Sequence, residues 1–185
     1  MRKLQYNAPV ILTFALLSAS ALFLGNLTGG ITTHKLFSVY RSSIFDPLTY
    51  LRLFLHVLGH SSFSHYSGNI LMILILGPMV EERYGSSNMF FLISITALTT
   101  GLMHSFLSPS TALLGASGIV FMLIFLASLA GMENNRIPLT LVLLTIIYFS
   151  QEIYQGLFST DNISQLTHIV GGCCGVVSGI LLRKK

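Results

Sequence analysis

The feature that most constrains the fold is the stretch from Tyr84 to Met132, which contains no Asp, Glu, Lys or Arg. A membrane-spanning helix needs about 20 predominantly apolar residues, so this stretch is too long for one helix. The polar segment 108–111 divides it into two candidate spans. Only 9% of the 185 residues are charged, whereas soluble domains carry about 25%. We therefore expect a single-domain integral membrane protein.

The apolar pattern predicts an all-α membrane protein in which six spans pack as one bundle. The first span follows Arg2 and Lys3 as a signal peptide would, but it is long for a cleaved segment, so we expect it to be retained. A long polar loop, residues 29–64, should lie outside and contain interfacial helical pieces. The predicted spans are about 9–28, 65–82, 88–107, 115–132, 138–155 and 164–182.

The distribution of Lys and Arg predicts the orientation. Six spans place both termini on one side, which would hold seven of the ten basic residues; the other three lie in the first loop. This bias favours cytoplasmic termini. The net charge of +4 comes from chain ends and loops, and no Lys/Arg patch with interleaved aromatics argues for a nucleic-acid partner.

Ser117 stands out within Gly115-Ala116-Ser117-Gly118, where a polar loop turns into the fourth span. Glycines allow close backbone approach there, and a helix start offers free N–H groups and a positive dipole end. These features suit a nucleophile beside an oxyanion site. Alternatively, four small residues could be only a packing patch.

His168 lies near the start of the sixth span, and an intramembrane His is a functional candidate by default. The glycines that follow at positions 171, 175 and 179 share one helix face and would let another helix pack closely. That approach could bring His168 to Ser117, which needs a base to become nucleophilic. The alternative is a buried neutral His bonded to a backbone carbonyl.

His65 and Asn69 are four residues apart and therefore share one face of the second span. Both side chains can donate hydrogen bonds to a developing oxyanion, although polar contacts between helices are the alternative. Spans two, four and six run in the same direction, so these two residues, Ser117 and His168 should lie at similar depth in the outer half of the membrane. That agreement favours a catalytic site.

These residues resemble the rhomboid family of intramembrane proteases from about Arg52 onward. The Gly-x-Ser-Gly motif matches residues 115–118, and the late His followed by spaced glycines matches His168, Gly171, Gly172 and Gly175. The second span carries His-x-x-x-Asn at His65 and Asn69, and it ends in Glu-x-Arg-x-Gly at residues 81–85. Upstream, Arg52, His56 and His60 fit the family pattern, although Leu51 replaces the usual aromatic.

The resemblance implies a rhomboid-like bundle and a Ser–His dyad of Ser117 and His168 without an acidic third member. It implies that His65, Asn69 and the Ser117 backbone N–H form the oxyanion hole, and that Phe121 packs on the His168 ring. It also implies hydrolysis of transmembrane protein substrates with a small residue before the cut. The remaining motif positions that it marks as structural are Gly115, Gly118, Gly172, Arg52, Glu81 and Arg83.

Other functions are compatible with the same pattern. A non-catalytic rhomboid-like protein could bind membrane helices, and a small transporter could use buried His residues as a proton relay. His56, His60 and His65 could also bind a metal, but their number and spacing favour loop packing for the first two. We expect no metal and no cofactor, since His-Glu-x-x-His is absent. A short chain of this kind suits a bacterial plasma membrane.

Overall fold

The computed structural model describes residues 5–108, 110–130 and 163–182, and single positions between 139 and 150. Apart from one isolated β-bridge, the regular structure of these residues is helical. A 3₁₀ turn, His56–Leu58, follows the third helix. The helices are α1 (Pro9–Leu27), α2 (Ile31–Leu36), α3 (Pro47–Leu55), α4 (Phe63–Tyr84), α5 (Ser86–Leu107), α6 (Ser117–Ala130) and α7 (Ile163–Leu181).

Helices α1, α4, α5, α6 and α7 correspond to five of the predicted spans. Within the described residues, α1, α4 and α5 are long and apolar enough to cross a membrane, while α6 and the segment Thr167–Leu181 of α7 are shorter apolar helices. The predicted span 138–155 lies mostly outside the described residues, so the count of six spans stays a prediction. The all-α bundle of apolar helices is confirmed.

The fourth span was predicted to begin at about residue 115, with Ser117 at its start, and α6 begins at Ser117. Gly115 has a φ of +125°, a backbone conformation that a right-handed helix cannot contain. Ser117 is therefore the first residue of its helix rather than a residue inside it, and the two residues before it belong to the loop.

Glu81 joins the end of α4 to the start of α1. Its buried carboxylate accepts hydrogen bonds from the backbone N–H groups of Val10 and Ile11, each at 3.0 Å, and from the Ser86 hydroxyl at 2.7 Å. Helix N-termini have unpartnered N–H groups and a positive dipole end. One carboxylate thus satisfies two of these donors and fixes α1 against α4.

The first loop contains the helices α2 and α3, where interfacial helical pieces were predicted. Arg52 connects several parts of this loop. This buried side chain donates to the carbonyl of Lys35 at 2.9 Å and lies 3.4 Å from the Asp46 carboxylate. Its guanidinium also lies over the Tyr40 ring, 4.6 Å from the centroid. Asp46 in turn caps α3 by accepting from Leu48 N–H. These contacts fix the conformation of the first loop.

Helices α6 and α7 approach each other closely because glycines line the face of α7. A Cβ added at Gly171 would lie 2.1 Å from the Gly118 carbonyl oxygen, and one at Gly175 would lie 2.5 Å from the Met122 carbonyl oxygen. No side chain fits into such gaps, so the two backbones are in direct contact. Because of this contact, the start of α6 lies close to α7.

Candidate active site

Ser117 is held at the start of α6 by backbone bonds to the first loop. Val39 and Leu113 exchange two hydrogen bonds of 2.9 Å, and Gly115 N–H donates to the His56 carbonyl at 3.0 Å. Ser117 itself is half-buried. The first backbone N–H groups of a helix have no partner within that helix, so this position can stabilise negative charge.

His168 is buried in α7 and its ring lies flat against Phe121 of α6. The ring centroids are 4.4 Å apart and the planes differ by 7°. Phe121 follows Ser117 by four residues, so both side chains lie on the same face of α6. The stacking therefore places the imidazole against the helix face that carries Ser117, as the resemblance implied for Phe121.

The backbone beside each of these residues is also in contact. A Cβ at Gly118 would lie 3.3 Å from Thr167 Cγ2, so the residue after Ser117 packs on the residue before His168. Farther along, a Cβ at Gly172 would lie 2.8 Å from the Phe125 ring. None of the described helices separates α6 from α7 at this level. These glycines thus have the close-packing role that the sequence predicted.

His65 and Asn69 lie on the other side of the loop that precedes Ser117. A Cβ at Gly115 would lie 2.8 Å from the His65 ring, at Cε1 and Nε2, and 3.9 Å from Asn69 Nδ2. The two side chains project from the first two turns of α4 and are half-buried. Four elements thus converge here: α4, α6, α7 and the loop before Ser117.

His60 belongs to this neighbourhood, although the sequence indicated only loop packing for it. Its Nε2 lies 3.1 Å from Asn69 Nδ2, and its ring meets that of His65 edge-on with centroids 4.9 Å apart. No sequence signal identified this contact, because the i, i+4 spacing of His56 and His60 suggests a shared helix face. In fact the chain leaves the helix at Gly59, which has an extended backbone.

Burial determines the charge of His56 and His60 in the first loop. It lowers the pKa of His56 to about 4, and burial together with the nearby His65 lowers the pKa of His60 to about 4. Both imidazoles are therefore neutral at pH 7.

Among the described residues, no three His, Cys, Asp or Glu side chains are grouped closely enough to hold a metal ion, so His56, His60 and His65 do not form such a cluster there.

A cavity of about 420 Å³ lies next to the loop before Ser117. His60 and Ser61 line one side of it, and Ala112 and Leu114 of the loop before Ser117 line another. Hydroxyl, imidazole and backbone groups at its wall can bind water. The cavity thus offers a space for water next to the loop that carries Ser117.

The remaining motif residues lie away from this convergence. Arg52 organises the first loop, and Glu81 caps α1 at the far end of α4. Arg83 is exposed in the last turn of α4, where a cation interacts favourably with the helix dipole. Arg52 and Glu81 thus connect parts of the fold, and the roles of all three residues in the family motif stay predictions.

Curated relatives share modest identity with the chain. YdcA of Bacillus subtilis (strain 168), which is named as a candidate rhomboid protease, is 26% identical over 144 residues, covering 72% of this chain and 68% of the relative. Rhomboid-like protein 11, chloroplastic, of Arabidopsis thaliana is 28% identical over 140 residues, 68% of this chain and 50% of that protein. Rhomboid protease GluP of Bacillus subtilis (strain 168) is 26% identical over 165 residues, 86% of this chain but only 32% of that protein.

A family profile described as Rhomboid domain matches residues 47–185. The matched region begins at α3 and includes every residue of the convergence described above. The apolar helices of the bundle agree with a protein embedded in the bilayer. Because the match covers well over half of the chain, this chain belongs to the rhomboid family, whose members are integral membrane proteins and generally serine proteases acting on membrane proteins.

Proposed function

We propose that this protein is an intramembrane serine endopeptidase that cleaves transmembrane helices with a dyad of Ser117 and His168. The observation that carries the proposal is the stacking of His168 on Phe121, one helical turn from Ser117. The packing of Gly118 on Thr167 supports it, since these residues are the sequence neighbours of Ser117 and His168.

The dyad works by general-base catalysis. A Ser hydroxyl is a weak nucleophile until a base removes its proton. The neutral imidazole of His168 takes that proton as the Ser117 oxygen attacks the scissile carbonyl carbon. The resulting imidazolium then gives the proton to the leaving amide nitrogen, and the peptide bond breaks to leave an acyl-enzyme on Ser117.

The negative charge on the carbonyl oxygen must be stabilised in the transition state. His65, Asn69 and the Ser117 backbone N–H are proposed as the donors. Support comes from Gly115, two residues before Ser117, which lies against both the His65 ring and the Asn69 amide. The positive dipole end of α6 adds to the same stabilisation.

Deacylation needs water in a largely apolar bundle. The cavity lined by His60, Ser61 and Leu114 supplies a space for it next to the loop before Ser117. A water molecule activated by His168 would attack the acyl carbon, release the carboxylic acid and restore the Ser117 hydroxyl. The polar first loop would connect this cavity with the outside.

The proposed substrates are other membrane-spanning helices. In a helix the backbone groups are satisfied internally, so the scissile segment must unwind before its carbonyl can reach Ser117. Substrates with Gly or Pro near the cut should be cleaved faster, because those residues weaken a helix. The resemblance to rhomboid proteases adds a preference for a small residue before the cut.

The proposed setting is a bacterial plasma membrane with both termini in the cytoplasm. The bias of Lys and Arg toward the termini and toward Arg83 and Arg136 supports this orientation. The folded first loop and the start of α6 would then face the outside, where the site would be open to water.

The test is cleavage of a transmembrane substrate in liposomes. Ser117→Ala and His168→Ala should each abolish cleavage, because each removes one half of the dyad. The matched control is Ser128→Ala on the same helix, which removes a buried hydroxyl bonded to the Ile124 carbonyl about 16 Å along the helix from Ser117. Cleavage that survives in Ser117→Ala or His168→Ala would reject the dyad.

Labelling with a fluorophosphonate separates the protease from the two other functions that the sequence allows. A protease should be labelled at Ser117, and the Ser117→Ala variant should not be. A helix-binding relative without activity, or a transporter that relays protons through histidines, should not react, since neither activates a Ser hydroxyl.

A further inference from the structure

We propose that His60 is a positioning residue that holds the Asn69 side-chain amide in the orientation required to donate to the oxyanion. The inference rests on the proposed function and adds to it a residue outside the dyad and the oxyanion donors. A chain of hydrogen bonds runs from α1 through the first loop to α4.

The chain of bonds begins at the Leu58 carbonyl. The Ser18 hydroxyl of α1 donates to this carbonyl at 3.0 Å, and His60 Nδ1 lies 3.2 Å from both the Ser18 oxygen and the Leu58 oxygen. On the other side of the ring, Nε2 lies 3.1 Å from Asn69 Nδ2. His60 is buried, with 2% of its surface exposed, and Ser18 is completely buried.

These contacts determine the tautomer of His60. A carbonyl oxygen can only accept, and the Ser18 hydrogen already points to Leu58, so Nδ1 must carry the hydrogen that it donates to Ser18 and Leu58. A neutral ring then has a lone pair on Nε2. That lone pair accepts from an Asn69 N–H. If the amide were flipped, its oxygen would face Nε2, and Nε2 would have to carry the hydrogen. Nδ1 would then have a lone pair facing the Leu58 oxygen.

The geometry of a primary amide makes this bond directional. The two N–H groups of Asn69 lie in one plane, so fixing one of them on His60 fixes the direction of the other. The Asn69 nitrogen lies 3.9 Å from the Cβ position of Gly115, two residues before Ser117. The second N–H thus remains for a negative charge beside the Ser117 loop, and no reorientation is needed when that charge develops.

The surroundings hold the imidazole in place and keep it neutral. The rings of His65 and Tyr66 meet it edge-on, with centroids at 4.9 and 5.5 Å. Burial and the nearby His65 lower the pKa of His60 to about 4, so at pH 7 its Nε2 is an acceptor rather than a second donor. A protonated ring would repel the Asn69 amide instead of orienting it.

The test is a double-mutant cycle on kcat with His60→Ala, Asn69→Ala and the double variant. Loss of an oxyanion donor costs about 10² to 10³ in kcat, and loss of its orientation should cost on the order of 10-fold. KM should hardly change, because the interaction forms only in the transition state. If His60 acts through Asn69, the double variant should be no slower than Asn69→Ala alone.

His56→Ala is the matched control, since His56 is buried in the same loop and bonds to Thr100 rather than to Asn69. Its effect on kcat should multiply with that of Asn69→Ala. His60→Gln, whose amide oxygen can accept from Asn69, should recover part of the activity. His60→Leu, which fills the space but cannot accept from Asn69, replaces His60→Ala in the cycle if that variant has melted at the assay temperature.

Multiplying effects of the His60 and Asn69 substitutions would overturn the inference, as would an unchanged kcat in His60→Ala. Either result leaves the proposed protease intact as long as cleavage still depends on Ser117. Cleavage that persists in Ser117→Ala would instead refute the proposed function, so the two failures are distinguishable.

Discussion

Replacing Glu81 with Gln should destabilise the protein strongly without removing its activity. The carboxylate accepts two backbone N–H groups of α1 and the Ser86 hydroxyl. Glutamine keeps one acceptor oxygen, while its NH₂ group would face a donor. One hydrogen bond to a charged group is worth about 1.5–3 kcal/mol, and a carboxylate at a helix N-terminus about 0.3–1 kcal/mol more.

The expected loss in the free energy of unfolding is therefore about 2–4 kcal/mol. Unfolding in mixed detergent micelles, followed by circular dichroism, measures it. Glu82→Gln is the matched control: the same chemical change at the next residue, which is exposed, should cost no more than about 0.5 kcal/mol. Equal stabilities of the two variants would refute the capping argument.

Activity should survive well below the unfolding midpoint. Glu81 follows His65 on the same helix by sixteen residues, which corresponds to about 24 Å along the axis. Cleavage per folded molecule in Glu81→Gln should therefore stay within about twofold of the original protein on that distance. A loss of kcat in fully folded Glu81→Gln would mean that the α1–α4 junction also influences the site.

Three further outcomes follow from the packing and the buried histidines. Gly171→Ala should abolish folding or activity, because its Cβ would lie 2.1 Å from a backbone oxygen of α6. The control variant Gly68→Ala should be active, because no atom lies within 4 Å of the added Cβ. A folded, active Gly171→Ala would contradict the close contact. Phe121→Leu should lower kcat on the order of 10-fold by releasing the His168 ring, more than it lowers stability, as steady-state kinetics on the folded variant will show. Acid should destabilise the protein: the folded-state pKa values of His56 and His60 are about 4 against an ordinary 6.5, so the unfolded chain binds more protons between these values. The free energy of unfolding should fall as the pH is lowered from about 6.5 to about 4, by at most about 3.4 kcal/mol per ring, and replacing either His should flatten this slope.

Much of the fold could be predicted because its signals are local. The scarcity of charge between Tyr84 and Met132 can only be accommodated in lipid, and the break at 108–111 separates α5 from α6 as predicted. The positive φ of Gly115 just before α6 is not visible in an apolar pattern.

The residues of the candidate site were predicted one by one, but the contacts around them were not. Motif spacing and the common direction of the spans pointed to Ser117, His168, His65 and Asn69. The contact between His60 and Asn69 was not predicted, because the sequence indicated loop packing for His60. Only the extended backbone at Gly59 turns that imidazole toward α4.

The sequence alone determined that this chain is a membrane protein. It also identified the polar side chains that are costly to place in lipid. Both properties depend on the transfer of each residue into lipid. Tertiary structure alone decided which helices touch: glycines on α7 against α6, Glu81 on the first turn of α1, and His60 between Ser18 and Asn69. Such contacts join residues far apart in the chain. They depend on the shapes of two packed surfaces at once, and a periodicity within one segment can indicate a close-packing face but not the surface that it meets.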